Sequence, residues 1–141
     1  MFLVMGITGK VGGATAQHLL ARGKQVRAQV RNREKTSSWA NQGAELVDGD
    51  WNDSAAIERA LKGVDGAFVM LPAVWAASPD YKEAKDVIAN YVEALTKAAP
   101  PRVVALSSVG ANRLLGNKLN LLGVGNVARD LRRTDELIQQ R

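Results

Sequence analysis

Three glycines at Gly6-x-x-Gly9-x-x-Gly12, with a fourth at Gly13, interrupt the apolar opening MFLVMGITGKVGGATAQHLLARG. Glycine inside a regular element costs about 0.5–1 kcal/mol relative to alanine, so this crowding needs a physical reason. Between a strand and a helix, the spacing makes a phosphate-binding turn. The first glycine permits the tight bend, the middle one lets backbone approach a pyrophosphate, and the third lets the helix pack closely on the strand. Amides at the start of the helix then face the anion, assisted by the helix dipole. Thr8 adds a hydroxyl to the same loop. A merely structural turn is the alternative use of these glycines.

The second apolar segment ends VRAQVRNREK, with Arg31, Arg33 and Lys35 and no acid before Glu34. A dinucleotide site for NAD usually places an acid here to bind the ribose 2′-hydroxyl, whereas arginine suits a 2′-phosphate. Arg31 is the stronger candidate because it directly follows Val30. Ordinary surface charge after a strand is the competing explanation. The expected cofactor is therefore NADP, with NADPH preferred over NADH.

The elements that must hold these residues alternate along the chain. Residues 2–5 read as a short buried strand and 11–22 as a helix, whose inner positions are drawn from Val11, Ala14, Thr15, His18, Leu19 and Leu20. Residues 25–30 are β-rich, and 32–41 are polar with at most a short helix. Residues 45–47 are strand-like, and Asp53 can cap a helix over 54–61. "GAFVML" is an apolar run halted by Pro72. Ser78-Pro79 reads as N-cap and first helical position of a helix reaching about Ala98. "RVVAL" follows, then Ser107 and Ser108. Residues 110–125 show no clean period, and a last helix is expected over about 127–140. Five strand-like runs with helices between them indicate βαβ units and a parallel α/β sheet. Unalternating apolar strands fit a sheet covered on both faces.

Composition narrows the function classes. The chain of 141 residues is long enough for one domain with a real core. It has no cysteine and a single histidine, His18, so disulfides, thiolate metal sites and histidine clusters are excluded and no metal is expected. The net charge of +5 is dispersed. Its densest cluster, Arg129, Arg132 and Arg133, lies among Asp130, Asp135 and Glu136 with few aromatics, which reads as a solvated helix face and not a nucleic-acid surface. No apolar run is long enough for a bilayer and residues 1–5 lack a signal-peptide pattern, so a cytoplasmic protein without membrane contact is expected.

"GITGKVGG", "VRAQVRN", "ELVDGDWND", "GVDGAFVMLP" and "RVVALSSVGA" together resemble the NmrA-like group of atypical short-chain dehydrogenases/reductases. The resemblance covers residues 1–113 in order. It implies a doubly wound Rossmann-like sheet of order 3-2-1-4-5. It also implies NAD(P) binding, either for reduction of small quinone or carbonyl-type substrates or for redox sensing without turnover. Gly6, Thr8, Gly9, Lys10, Val11 and Gly12 match the phosphate loop, and Arg31 the 2′-phosphate arginine, with Lys35 assisting. Asp50 and Trp51 match the segment beside the adenine, although Asp50 equally fits a turn residue in "DGDWND". Leu71, Pro72 and Ala73 match the end of strand four. Ser107 and Ser108 match the end of strand five nearest the reacting ring. Ser107 is the one catalytic candidate, and a strand-terminal hydroxyl bonded to local backbone is its other reading.

The sequence also departs from that pattern. Tyr81-Lys82-Glu83-Ala84-Lys85 matches the catalytic Tyr-x-x-x-Lys by letter but precedes strand five, and no tyrosine follows Ser108. Lys118 is the nearest basic substitute and reads as a surface lysine. Trp75, in "PAVWAASP", fits either a pocket wall or a packed loop anchor. Residues 114–141 read as an atypical linker and terminal helix, and "RRTDELIQQR" resembles the helix before a sixth strand. The expectation is a dinucleotide-binding domain truncated after the fifth helix, with the substrate domain absent. An exposed sheet edge or an exchanged terminal helix would then favour a homodimer.

Overall fold

The computed structural model describes residues 1–72, 78–79 and 82–106. The described elements are β1 (Phe2–Val4), α1 (Lys10–Ala21), β2 (Val26–Val30), a 3-10 turn (Glu34–Thr36), α2 (Ser37–Asn41), β3 (Glu45–Asp48), α3 (Ser54–Leu61), β4 (Gly66–Val69), α4 (Lys82–Ala98) and β5 (Val103–Ala105). All strand pairs are parallel and the sheet order is β3-β2-β1-β4-β5, as the resemblance implied.

Register explains why β1 and β4 are apolar throughout. Leu3 pairs with Arg27 and Ala67, and Val4 with Ala28 and Phe68. Leu3 belongs to a core with Ala67, Val69, Ile57 and Leu61 of α3, and Val87, Tyr91 and Leu95 of α4. Val4 belongs to a second core with Val26, Ala28, Val30 and Ala16, joined by Leu19 and Leu20 of α1 and Trp39 of α2. Consecutive residues of β1 thus point into different cores on opposite faces, each covered by two helices.

β2 carries the exception. Arg27 and Gln29 occupy the alternate positions, on the α3 face. Arg27 donates to the carbonyls of Ala60 and Lys62 at the end of α3, and to Glu45 on β3. A cation closing the carbonyl end of a helix satisfies orphan acceptors and complements the dipole. At the other end of α3, Asp53 accepts the Ala56 amide at 3.0 Å, the cap expected from sequence.

Two local expectations change. The inner face of α1 is Gly12, Gly13 and Ala16, with Leu19 and Leu20 half-buried, while Val11, Ala14 and His18 are exposed. The helix lies too close to the β1 turn for larger side chains: a methyl on Gly12 would stand 2.3 Å from the Gly6 carbonyl oxygen. Pro79 lies in a turn, and the described helix α4 begins at Lys82. Ser78 Oγ accepts the Lys82 amide at 3.1 Å and donates to Glu83, so the serine still closes the helix start. The expectations at Ala73, Trp75, Tyr81, Ser107, Ser108 and Lys118, and for residues 114–141, lie outside the described residues.

Candidate functional site

The carboxyl ends of β1, β2, β3 and β4 open into one cleft of about 200 Å³. After β1 it is lined by Met5, Gly6, Ile7 and Thr8, and after β2 by Arg31, Asn32 and Lys35. Gly49 and Trp51 line it after β3, Met70 and Pro72 after β4, and Tyr91 reaches it from α4. Ligands of parallel sheets bind at this rim.

The glycine turn borders it through Gly6, Ile7 and Thr8. Gly6 has φ of +67°, the left-handed region, and a methyl there would meet the Met70 sulfur at 2.7 Å. The Gly9 amide donates to the Gly6 carbonyl at 2.8 Å, and Gly9 is the N-cap of α1 without a side-chain cap. The first i→i−4 bond runs from the Gly13 amide to the Gly9 carbonyl. The amides of Lys10, Val11 and Gly12 therefore precede the helical ladder and are free for an anion. Gly6, Thr8, Gly9, Lys10 and Val11 are exposed, and no described side chain plugs the turn.

The rim sorts the three cations after β2. Arg33 turns away: its Nε donates to both Asp48 oxygens at 2.8 and 2.9 Å, and its Nη2 to the Leu46 carbonyl. Hydrogen bonding and the charge of Asp48 strengthen its hold on its proton. Arg31 instead lies over the Trp51 indole, 3.9 Å from the ring centroid, and Lys35 is exposed at the same rim. Asn32 organises the bend, its Oδ1 accepting the Lys35 amide and its carbonyl the Thr36 hydroxyl.

Beyond β3, Asp50 Oδ1 accepts the Asn52 amide at 2.8 Å, the turn role available to it, while Oδ2 stands 4.0 Å from Arg31 Nε. Leu71 is half-buried against the α3–α4 core, apart from the cleft that Pro72 lines.

Sequence reasoning missed four contributors. Gln29 reaches the cleft from β2, and its amide nitrogen is buried without a hydrogen-bond partner. Gly49 makes room for it, since a methyl there would stand 2.1 Å from that nitrogen. Asn90 Nδ2 donates to the Trp51 carbonyl, and the Tyr91 hydroxyl to the Met70 carbonyl, both at 3.1 Å. Two adjacent residues of α4 thereby fasten two loops of the cleft. Burial, and secondarily the charge of Asp50, push the Tyr91 phenol well above its ordinary pKa. Polar residues at alternate positions of VRAQV were the available signal for Gln29; the other three had none.

A backbone anion cradle, two cations at the rim and a buried unpaired donor together fit a phosphorylated nucleotide. A family profile described as NAD(P)H-binding matches residues 6–141. The chain belongs to this NAD(P)H-binding family. Its structural neighbours are of the NmrA-like, atypical short-chain dehydrogenase/reductase type. Sterol demethylase protein B of Methylococcus capsulatus is 33% identical over 113 residues, covering 77% of this chain and 34% of that protein. Triphenylmethane reductase of Citrobacter sp. is 28% identical with a TM-score of 0.76, covering 94% of this chain and 45% of that one. Its complex with NADP(H) aligns with a TM-score of 0.73. An NADPH-dependent quinone oxidoreductase of Escherichia coli is 25% identical with a TM-score of 0.65, covering 92% of this chain and 43% of that one. The chain thus spans about a third of the length of the curated relative and under half of these solved structures. No described helix is long and apolar enough to cross a membrane.

Proposed function

We propose that this chain is the NADP(H)-binding part of an oxidoreductase that reduces a small quinone or carbonyl-type acceptor. The observation that carries the reading is the open amide cradle beside Arg31 and Lys35, with Arg33 consumed by Asp48. Gly6, Gly9 and Gly12 shape the cradle. The amides of Lys10, Val11 and Gly12 bind the diphosphate, and Thr8 adds its hydroxyl. Arg31 and Lys35 hold the 2′-phosphate through charge-assisted bonds. Asp50 and Trp51 flank the base, while Pro72, Ala73, Ser107 and Ser108 border the nicotinamide end. The cofactor, when bound, supplies the hydride. Calorimetric titration of the chain with NADPH and NADH, repeated with Arg31→Ala, tests this. NADPH should bind at least about tenfold tighter and lose that margin in the variant; tighter binding of NADH would refute the assignment.

A redox sensor that binds the same cofactor without turnover is the second reading. It is favoured by Tyr91, whose phenol is committed to the Met70 carbonyl and held neutral by burial, leaving no described tyrosine as a proton donor. Quinone-dependent oxidation of NADPH by the purified chain would eliminate it. In either case a homodimer across the outer edge of β5 would cover Val104 and Leu106, which are 61% and 37% exposed. Sedimentation as a monomer at high micromolar concentration would remove that part.

A further inference from the structure

We infer that Trp51 is a positioning residue for Arg31 and thereby sets the preference of the cleft for nucleotides carrying a 2′-phosphate. The inference rests on the dinucleotide reading above and adds to it the device that makes Arg31 selective. Arg31 leaves the end of β2 with its side chain 60% exposed, and an arginine so placed samples many rotamers. The indole beneath it is built in. Trp51 is half-buried against the α3–α4 core, its carbonyl is tied to Asn90 of α4, and its turn is closed by Asp50 and Asn52.

Stacking matters because of which atoms it uses. A guanidinium lying on an indole is held through its face, by attraction to the ring quadrupole. Its in-plane N–H donors stay unspent and can take phosphate oxygens as a bidentate fork. Asp50 Oδ2, at 4.0 Å from Nε, orients the group from beyond hydrogen-bond distance. Arg33 shows the contrary arrangement two residues away. Its Nε is bound to the Asp48 carboxylate and its Nη2 to the Leu46 carbonyl, and the Asp48 charge offsets its own. Of two arginines on one strand exit, the one kept free for an anion is the one resting on an aromatic face.

The test titrates NADPH and NADH calorimetrically into wild type, Trp51→Leu and Trp51→Phe, with thermal melting as the folding control. Trp51→Leu should lose about tenfold more affinity for NADPH than for NADH, any loss from its place beside the base falling on both nucleotides alike, so the ratio collapses. Trp51→Phe, which keeps an aromatic face, should recover most of the ratio. An unchanged ratio in Trp51→Leu, or equal weakening of both ligands, would overturn the inference while leaving the dinucleotide reading intact. Failure of wild type to bind either nucleotide would instead defeat that underlying reading. If Trp51→Leu does not fold, Arg31→Lys in the otherwise intact chain serves. Its ammonium keeps the charge but cannot lie flat with a fork of donors, so the ratio should fall, and an unchanged ratio would be fatal to the inference.

Discussion

Replacing Gly12 with alanine sets two known tendencies against each other. In a helix interior the change ordinarily stabilises by about 1 kcal/mol. Here the new methyl would lie 2.3 Å from the Gly6 oxygen, 2.6 Å from the Gly6 carbonyl carbon and 2.6 Å from the Met5 oxygen. Ordinary carbon–oxygen contacts begin at about 3.3 Å, so α1 and the β1 turn must separate by roughly 1 Å. All three neighbours are backbone and none can yield by rotamer change. Overpacking costs about 1–3 kcal/mol, and this site belongs at the upper end. After the helix gain is subtracted, the net loss is about 2 kcal/mol, or roughly 6–8 °C in melting temperature for a chain of this size. Gly9 supplies the control. Its φ of −89° suits any residue, and its methyl would meet only the Gly6 oxygen, at 3.3 Å. The weaker N-cap costs some tenths to about 1 kcal/mol, offset by a similar loss of unfolded-state entropy. Gly9→Ala should therefore melt within about 2 °C of wild type yet bind NADPH at least about tenfold more weakly, because the middle glycine clears the phosphate approach. Circular-dichroism melts and calorimetric titration read the two effects separately. A Gly12→Ala chain melting at or above wild type would refute the reasoning.

Raised by burial, the Tyr91 phenol keeps its proton in the folded chain at a pH where the unfolded chain has lost it. Its contribution is present below the ordinary tyrosine value of about 10 and is lost as pH climbs above it. Denaturant midpoints should accordingly fall between pH 9 and 11, and Tyr91→Phe should flatten that decline. Asp53→Ala removes the cap on the Ala56 amide and should cost about 1 kcal/mol in urea unfolding, with NADPH affinity unchanged. Arg33→Ala should leave NADPH affinity within about twofold of wild type, since Asp48 already holds that guanidinium, whereas Arg31→Ala should lose about tenfold; equal losses would erase the distinction between them.

Much of the architecture was legible because its causes are local. The glycine spacing marks a turn by the absence of side chains, and the apolar runs mark strands buried on both faces. Asp53 announces α3 through one short side chain reaching three residues along. The inner face of α1 was misread for the same local reason: Val11 looks more buried than Gly12 until the β1 turn is known to lie 2.3 Å from a would-be methyl. Arg31 could be preferred over Arg33 because it follows Val30, yet only Asp48, on the neighbouring strand, shows Arg33 occupied.

The sequence by itself determined the order of strands and helices, the position of the anion cradle and the presence of cations beside it. Each follows from covalent sterics or short-range periodicity, which a linear reading contains. Tertiary structure alone decided that Gln29 is buried without a partner, that Arg31 rests on an indole, and that Asn90 and Tyr91 fasten loops 39 and 21 residues away. Those outcomes depend on which distant groups the packed sheet brings within about 3–4 Å, the range at which hydrogen bonds and stacking operate.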